Sequence, residues 1–394
     1  LKKLAIITTH PIQYNAPLFT LLGKEDAIDL KVFYTWGDAC LDKKFDPDFG
    51  KVIQWDIPLL DGYNYSFVNN IARNKGSHYF FGIDNPSLIA EVKSWGADIV
   101  WVWGWSFKSH LQALRYFKGK IPVWFRGDSV LIDEKSGFSG KQFLKKIFLK
   151  WVYKHINKSF YVGEHNKNYF LQYGLSPKQL VYAPHAIDTN RFQGTNGNYT
   201  AAAASWRNEL GIQESDFVVL FAGKLEPKKN PEFLLNLAST LSGKQFKFVF
   251  VGNGILEAEL KEKSKNDSRI IFLDFQNQMK MPVVYRLANV FILPSVGPGE
   301  TWGLALNEAL ACGIPIMASA KCGGAIDLID SNCGLVFESD ELEKAVDFIQ
   351  ELQRNPNSYH DFCKGAAAKS KEFMYQQIIA AVKIASKIPD VVKS

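Results

Sequence analysis

A repeated alternation limits the fold of this chain more than any other feature: short, near-continuous apolar runs, each followed by a stretch of helical periodicity. Phe217-Val218-Val219-Leu220-Phe221-Ala222 is one such run, and Val290-Phe291-Ile292-Leu293 is another. A strand with one face in water alternates apolar and polar residues. A run that is apolar throughout needs cover on both faces, which helices flanking a parallel sheet provide. In the first half the pattern predicts strands near 4–9, 30–35, 98–104, 121–126, 159–162 and 180–183. Helices are predicted near 15–23, 86–95, 107–118, 140–157 and 164–173. The second half repeats the plan, with strands near 217–222, 246–252, 269–273, 290–294, 314–318 and 334–337. Its helices are predicted near 231–241, 255–265, 281–288, 303–311 and 340–353, and a last helical stretch covers 358–387. The expectation is an α/β protein of two Rossmann-like units. Polar, glycine-rich Gln193–Thr200 reads as a linker or surface loop. The chain is divided accordingly into 1–188, 189–357 and a helical segment 358–394 that could pack back on the first domain.

Composition narrows the class further. A length of 394 residues with 47% hydrophobic content suits two ordinary cores. No apolar stretch reaches the ~18–20 residues of a membrane span. The start of the chain, Leu1 to Thr9, has too short an apolar core for a signal peptide. Five scattered cysteines without a CxxC pair suggest neither a disulfide framework nor a zinc site, and a reducing, cytoplasmic setting is expected. The charge is uneven: residues 1–188 carry 24 basic and 17 acidic residues (+7), and 189–394 carry 22 and 23 (−1). An excess that mild gives no case for nucleic acid as a partner.

Ligands of open α/β sheets bind at the carboxyl ends of strands, so the loops there carry the functional reading. After the strand ending at Leu293, a glycine-rich loop enters a helix beginning near Gly303 and Leu304. Unpaired N–H groups and the helix dipole make such a start attractive to phosphate. Glu300 precedes that helix and Glu308 lies two turns along it. The two could hold hydroxyls on either side of a bound diphosphate, or be an ordinary loop acid and an ordinary helix acid. After Ala222 the loop reads Gly223-Lys224-Leu225-Glu226-Pro227-Lys228-Lys229-Asn230-Pro231, with three lysines before a helix start. Val251-Gly252-Asn253-Gly254 has two glycines but lacks the rest of a dinucleotide fingerprint. No HExxH, GxSxG or Walker lysine loop occurs. In the first half, His10, Gln13 and Asn15 follow the first strand and could bind an acceptor, although His10 could equally be satisfied by neighbouring backbone. Trp101, Trp103 and Trp105 alternate in the manner of core packing.

Taken together, Leu293–Phe337 with Glu300, Glu308, Ala311-Cys312-Gly313-Ile314-Pro315-Ile316 and Gly323-Gly324 resembles the signature region of family-4 retaining glycosyltransferases. Gly223-Lys224-Leu225 with Lys229-Asn230 resembles that family's basic motif, and Pro184–Phe192 its interdomain hinge. The resemblance is strong over 180–340 and weaker over 1–179. It implies the GT-B fold, two Rossmann domains facing across a cleft, with a nucleotide sugar in the second domain and an acceptor in the first. It further implies that Lys224, Lys229 and the N–H groups of Gly303 and Leu304 contact the diphosphate. Glu308 would hold the ribose, Glu300 the transferred sugar, and Thr301 and Trp302 would line the donor. Phe275 stands where the family's backbone meets the base, and Gly223, Gly252 and Gly254 allow close approach. Two positions depart from the family: Lys224 replaces a common arginine, and Arg126-Gly127-Asp128-Ser129 replaces a loop that often holds a histidine. Arg126 and Asp128 therefore stand as candidates on the sugar or acceptor side. No cofactor beyond the substrate and no metal are implied. The activity expected is retaining sugar transfer to a saccharide or lipid-linked acceptor in cell-surface polysaccharide or glycolipid synthesis. A nucleotide-sugar epimerase or a non-catalytic sugar-nucleotide-binding subunit is the alternative.

Residues 140–158 hold Lys141, Lys145, Lys146, Lys150, Lys154 and Lys158 and no acidic residue. The helical pattern gathers Leu144, Phe148, Trp151 and Val152 on one arc. Either this arc packs on the sheet, or the helix also makes a peripheral contact with anionic membrane at the inner face.

Overall fold

A computed structural model describes residues 1–41, 44–46, 51–134, 139–194 and 198–387. Its strands are β1 (Lys2–Thr8), β2 (Ile28–Tyr34), β3 (Lys44–Asp46), β4 (Lys51–Ile53), β5 (Asn64–Phe67), β6 (Ile99–Trp103), β7 (Val123–Arg126), β8 (Lys158–Tyr161) and β9 (Leu180–Tyr182). Then come β10 (Phe217–Ala222), β11 (Phe246–Val251), β12 (Ile270–Leu273), β13 (Val290–Leu293), β14 (Ile316–Ser319) and β15 (Gly334–Phe337). One sheet has the order β5-β2-β1-β6-β7-β8-β9 and the other β12-β11-β10-β13-β14-β15, while β3 and β4 pair as a hairpin. Every pairing in the two large sheets is parallel. Counted along each sheet, both follow the Rossmann order 3-2-1-4-5-6, and the first adds a seventh strand. The α/β class with two Rossmann-like units is therefore borne out.

The two compact units are not contiguous in sequence. Of the described residues, the first unit takes 1–41, 58–184 and 375–387, and the second takes β3, β4, 54–57 and 185–374. The chain thus changes units at 184/185 and 374/375 rather than at 188/189 and 357/358, and β3, β4 and 54–57 go with the second unit although the chain before and after them goes with the first. The long helical stretch 358–387 is two helices, Pro356–Ser370 and Tyr375–Lys387. Tyr375–Lys387 packs on the first unit: the Tyr375 hydroxyl donates to the Tyr14 carbonyl at 2.8 Å and Lys383 pairs with Glu25 at 2.6 Å. Lys158, buried at the start of β8, donates to the Ala385 carbonyl at 2.7 Å. The linker prediction falls partly on 195–197, outside the described residues. On either side of them stand the helices Thr189–Gln193 and Tyr199–Glu209, each capped by the side chain before it, Asp188 and Asn198.

All six residues of β10 are buried, as its unbroken apolar run requires. In the first unit, Trp101, Trp124 and Phe160 pack with ring centroids 4.6 to 6.2 Å apart across β6, β7 and β8. Burying each such ring contributes roughly 1.5–3 kcal/mol or more. Trp101 is thus core, and Trp105, beyond the strand past Gly104 at φ +78°, is partly buried against the core of the same unit.

Candidate functional site

In a sheet of this order the chain reverses direction between the two central strands, which opens a crevice at their carboxyl ends. In the second unit those strands are β10 and β13. The backbone ties their loops together, the Val296 N–H donating to the Lys228 carbonyl at 2.9 Å. A short 3-10 turn, Pro227–Lys229, closed by Asn230 at φ +50°, carries Lys229 to the crevice. There its ammonium pairs directly with the Glu300 carboxylate, which also accepts from the Ser295 hydroxyl at 3.0 Å. The Lys229 side chain is 20% exposed and that of Glu300 8%, so the pair is largely withdrawn from water but reachable from the lysine side. Ser295 is itself fixed from below, the Ser319 hydroxyl donating to its carbonyl.

Glu300 opens a turn that leads into the helix Leu304–Ala311. Gly303 adopts φ +95°, and a Cβ there would stand 2.6 Å from the Cys322 sulfur and 2.8 Å from Leu293 Cδ2, so this position requires glycine. The turn is clamped by the loop after β14: Gly323 N–H donates to the Glu300 carbonyl at 2.8 Å and Gly324 N–H to the Trp302 carbonyl at 2.9 Å. The Cys322 thiol donates to the same Trp302 carbonyl at 2.9 Å. Burial, with Glu300 nearby, pushes that thiol far up, which keeps it a structural thiol rather than a nucleophile. Trp302 is buried, its indole N–H donating to Asn307 Oδ1 at 2.8 Å, so its ring holds the turn in shape. Thr301 is half-buried beside it.

Glu308 lies on the same helix, 2% exposed, and accepts from the Tyr285 hydroxyl at 2.7 Å. Lys224 is half-buried at the start of the loop after β10, next to Gly223. Gly252 and Gly254 have φ +132° and +159°, and Cβ atoms there would stand 2.1 Å from the Gly223 carbonyl oxygen and 2.5 Å from that of Leu225. They let the loop after β11 lie on the loop after β10, a role in loop packing that the sequence reading, centred on ligand approach, does not contain. Phe275, after β12, is half-buried, and its N–H donates to Asn253 Oδ1 at 2.9 Å. Serines 295 and 319, Tyr285 and Asn253 are the positioning residues that the sequence reading misses. Polar residues ending otherwise apolar strands are the one signal that could have found the first two.

In the first unit, His10 contacts the Thr9 hydroxyl through Nδ1 at 2.8 Å and sets its ring edge-on to Trp36 at 5.0 Å. Gln13 and Asn15 are half-buried just before the helix Ala16–Leu22. Arg126 is buried and donates to the carbonyls of Ala183 and Pro184 at 2.9 and 3.2 Å, above the Trp103 ring. Burial brings its guanidinium down to about 10, with Asp128 acting against the fall. Its Nη1 and Nη2 donors tie β7 to the end of the unit, while Asp128 is exposed.

Residues 203–369 match the family model for glycosyl transferases group 1. Among curated proteins, the D-inositol 3-phosphate glycosyltransferase of Mycobacteroides abscessus is 31% identical over 182 residues, 45% of this chain and 39% of that protein. The chain spans about half the length, or less, of the curated relatives it matches. Among solved structures, Anabaena HepE in complex with UDP matches with a TM-score of 0.71 at 16% identity, covering 98% of this chain and 100% of that one. Sucrose-phosphate synthase from Thermosynechococcus elongatus matches with a TM-score of 0.72 at 15% identity, covering 98% of both chains. The fold is that of GT-B glycosyltransferases, and the resemblance read from the second half of the sequence is borne out.

Proposed function

We propose that this chain is a retaining glycosyltransferase that moves a sugar from a nucleoside-diphosphate donor to an acceptor hydroxyl. The observation that carries the reading is the Lys229–Glu300 pair beside the helix start at Leu304, at the crevice between β10 and β13. A cation and helix N–H groups suit a diphosphate, and a carboxylate aimed at the same place suits sugar hydroxyls. In the reaction the bond from the anomeric carbon to the diphosphate oxygen breaks, and the acceptor oxygen bonds that carbon on the same face. The acceptor's proton passes to the departing phosphate oxygen. Lys224, Lys229 and the helix start stabilise the charge that develops on the diphosphate. Incubation with a panel of nucleotide sugars tests this: free nucleoside diphosphate should appear with one donor, and the new linkage should keep the donor's anomeric configuration. Release from no donor would reduce the chain to a binding subunit, and an epimerised sugar among the products would make it an epimerase. UDP-sugars come first in the panel, because HepE was solved with UDP. Glu308→Ala should weaken nucleoside diphosphate binding by about 1.5–3 kcal/mol in titration calorimetry, through loss of a charge-assisted contact to ribose. Unchanged affinity would remove Glu308 from the site.

The acceptor side of this reading is a saccharide or lipid-linked acceptor at an anionic membrane surface, in polysaccharide or glycolipid synthesis. The helix Gly140–Tyr153 supports it. Leu149, Val152 and Tyr153 are buried, whereas Phe143, Leu144, Ile147 and Phe148 are 52, 67, 53 and 41% exposed. Leu144 and Phe148 thus part company with Val152, with which the helical pattern grouped them. Lys141, Lys146, Lys150 and Lys154 are exposed around this apolar strip, Lys145 pairs with Glu134, and Lys158 is buried. No described helix is long and apolar enough to cross a membrane. An apolar strip flanked by lysines fits a bilayer interface, each lysine adding ~1 kcal/mol near anionic lipid. Vesicle co-sedimentation should rise with anionic lipid content, fall with salt, and drop in the Lys146/Lys150/Lys154→Gln triple variant. Binding unaltered in that variant would rule this helix out.

A further inference from the structure

Residues 54–56 come from the first 60 positions of the chain, yet they cluster with the second unit. There the loop after β12 holds them at three points. Asn277 Nδ2 donates to the Gln54 carbonyl at 2.6 Å. The Met279 N–H donates to the Asp56 carboxylate at 3.1 and 3.2 Å. Between these anchors the Trp55 ring meets the Phe275 ring at 6.3 Å and 63°, an edge-on aromatic pair. The loop is fixed from its other side as well: Asn253 accepts from the Phe275 N–H at 2.9 Å and donates to Asp274 at 3.0 Å and Glu257 at 2.9 Å. Hydrogen bonds on both flanks of Trp55 anchor its neighbours in the chain, and both rings remain half-buried rather than enclosed.

We infer that Trp55 forms, with Phe275, the aromatic wall of the subsite for the nucleoside base and is an affinity-determining residue of the donor site. The inference rests on the reading of the second unit as a nucleoside-diphosphate site. Phe275 lies at the carboxyl end of β12, two strands from β10, whose loop carries Lys229. A diphosphate at Lys229 with its ribose toward the sheet edge places a flat heteroaromatic base near that end, where ring faces offer stacking. Stacking of one base on an aromatic side chain changes affinity by roughly 5- to 150-fold. A surface strap whose only task was to hold the hairpin would need the two hydrogen-bonded anchors but no half-buried indole between them.

The test uses the full chain and its Trp55→Ala and Trp55→Phe variants, with UDP, ADP and GDP as probes in titration calorimetry and melting temperature as the control for folding. Trp55→Ala should lose roughly 5- to 150-fold in affinity for the best nucleoside diphosphate at an unchanged melting temperature, and Trp55→Phe should regain most of it. A photoactivatable analogue of that nucleotide should label the peptide holding Trp55 or the one holding Phe275. A parent that binds the nucleotide beside a Trp55→Ala variant that binds it equally well overturns this inference alone, as does label confined to other peptides. A loss of affinity that Trp55→Phe does not restore, or that comes with a lowered melting temperature, assigns Trp55 to structure and also overturns it. A parent that binds none of the three overturns the nucleoside-diphosphate reading and this inference with it.

Discussion

Lys229→Ala is expected to lower transfer turnover by about 10²–10³-fold and also to destabilise the second unit by ~2–4 kcal/mol. The two losses have different origins. The rate falls because a fixed cation no longer faces the charge developing on the leaving diphosphate. Stability falls because Glu300, its side chain 8% exposed, is left with the neutral Ser295 hydroxyl in place of a counter-charge once the ammonium is gone. Breaking one side of a fully buried pair costs ~3–5 kcal/mol, and the 20% exposure of the lysine side chain scales that down. Adding Glu300→Gln separates the effects: the double variant should recover most of the stability and none of the rate, because a neutral amide needs no counter-charge. Glu300→Gln alone should reduce turnover while nucleoside diphosphate binds as tightly as before or more so, since it frees the Lys229 charge from its internal partner. Urea unfolding followed alongside single-turnover kinetics reads all three variants. A double variant no more stable than Lys229→Ala would show that the pair does not hold this part of the unit.

The pair shows where sequence reasoning works and where it stops. Apolar runs such as Phe217–Ala222 and Val290–Leu293 disclose buried parallel strands because both faces of such strands need cover, and all of them became strands. The loops between were legible by composition, so Glu300 and Lys229 could each be placed on a loop at a strand end. That they bond to each other depends on β10 and β13 being neighbours, a fact of sheet order that no local pattern encodes. Arg126 reads as a site candidate because its loop departs from the family, and local sequence gives no sign that two of its guanidinium nitrogens donate to backbone carbonyls nearly 60 positions away. Gly252 and Gly254 read as room for a ligand, and the space beside them is filled by another loop's backbone. Asn64–Phe67 escaped prediction because an edge strand, with its first two residues exposed, carries no apolar run. The helix Tyr199–Glu209 escaped because, rich in alanine and burying only Ala203, it shows little apolar periodicity. The passage of β3, β4 and 54–57 into the second unit is marked by nothing in the composition.

Acidification from pH 6.5 to about 4 is expected to cost the first unit about 3 kcal/mol through His110 alone. This histidine lies in the first turn of the helix Lys108–Phe117 and is wholly buried. Its Nδ1 meets the Gly104 carbonyl at 2.9 Å and its Nε2 meets the Thr35 hydroxyl at 2.8 Å, so it joins the loops after β6 and β2. Burial lowers its pKa from 6.5 to about 4, and the Gly104 carbonyl only partly opposes the fall. Between those two values the unfolded chain takes up a proton that the native unit refuses. Unfolding is therefore favoured as pH drops through this window, and the contribution is fully present only above about 6.5. His155 and His165 move in the same direction, each mainly through burial, so the acid sensitivity of the first unit exceeds what His110 supplies. His110→Gln keeps an amide N–H for Gly104 but does not titrate. It should be less stable than the parent at pH 7, because the shorter side chain cannot reach both partners, yet its stability should fall less steeply between pH 6.5 and 4.5. Urea midpoints at half-unit steps of pH measure that slope. Equal slopes in the two proteins would mean that His110 is not held neutral in the fold, and the join between the two loops would then have to be made by Thr35 and the backbone.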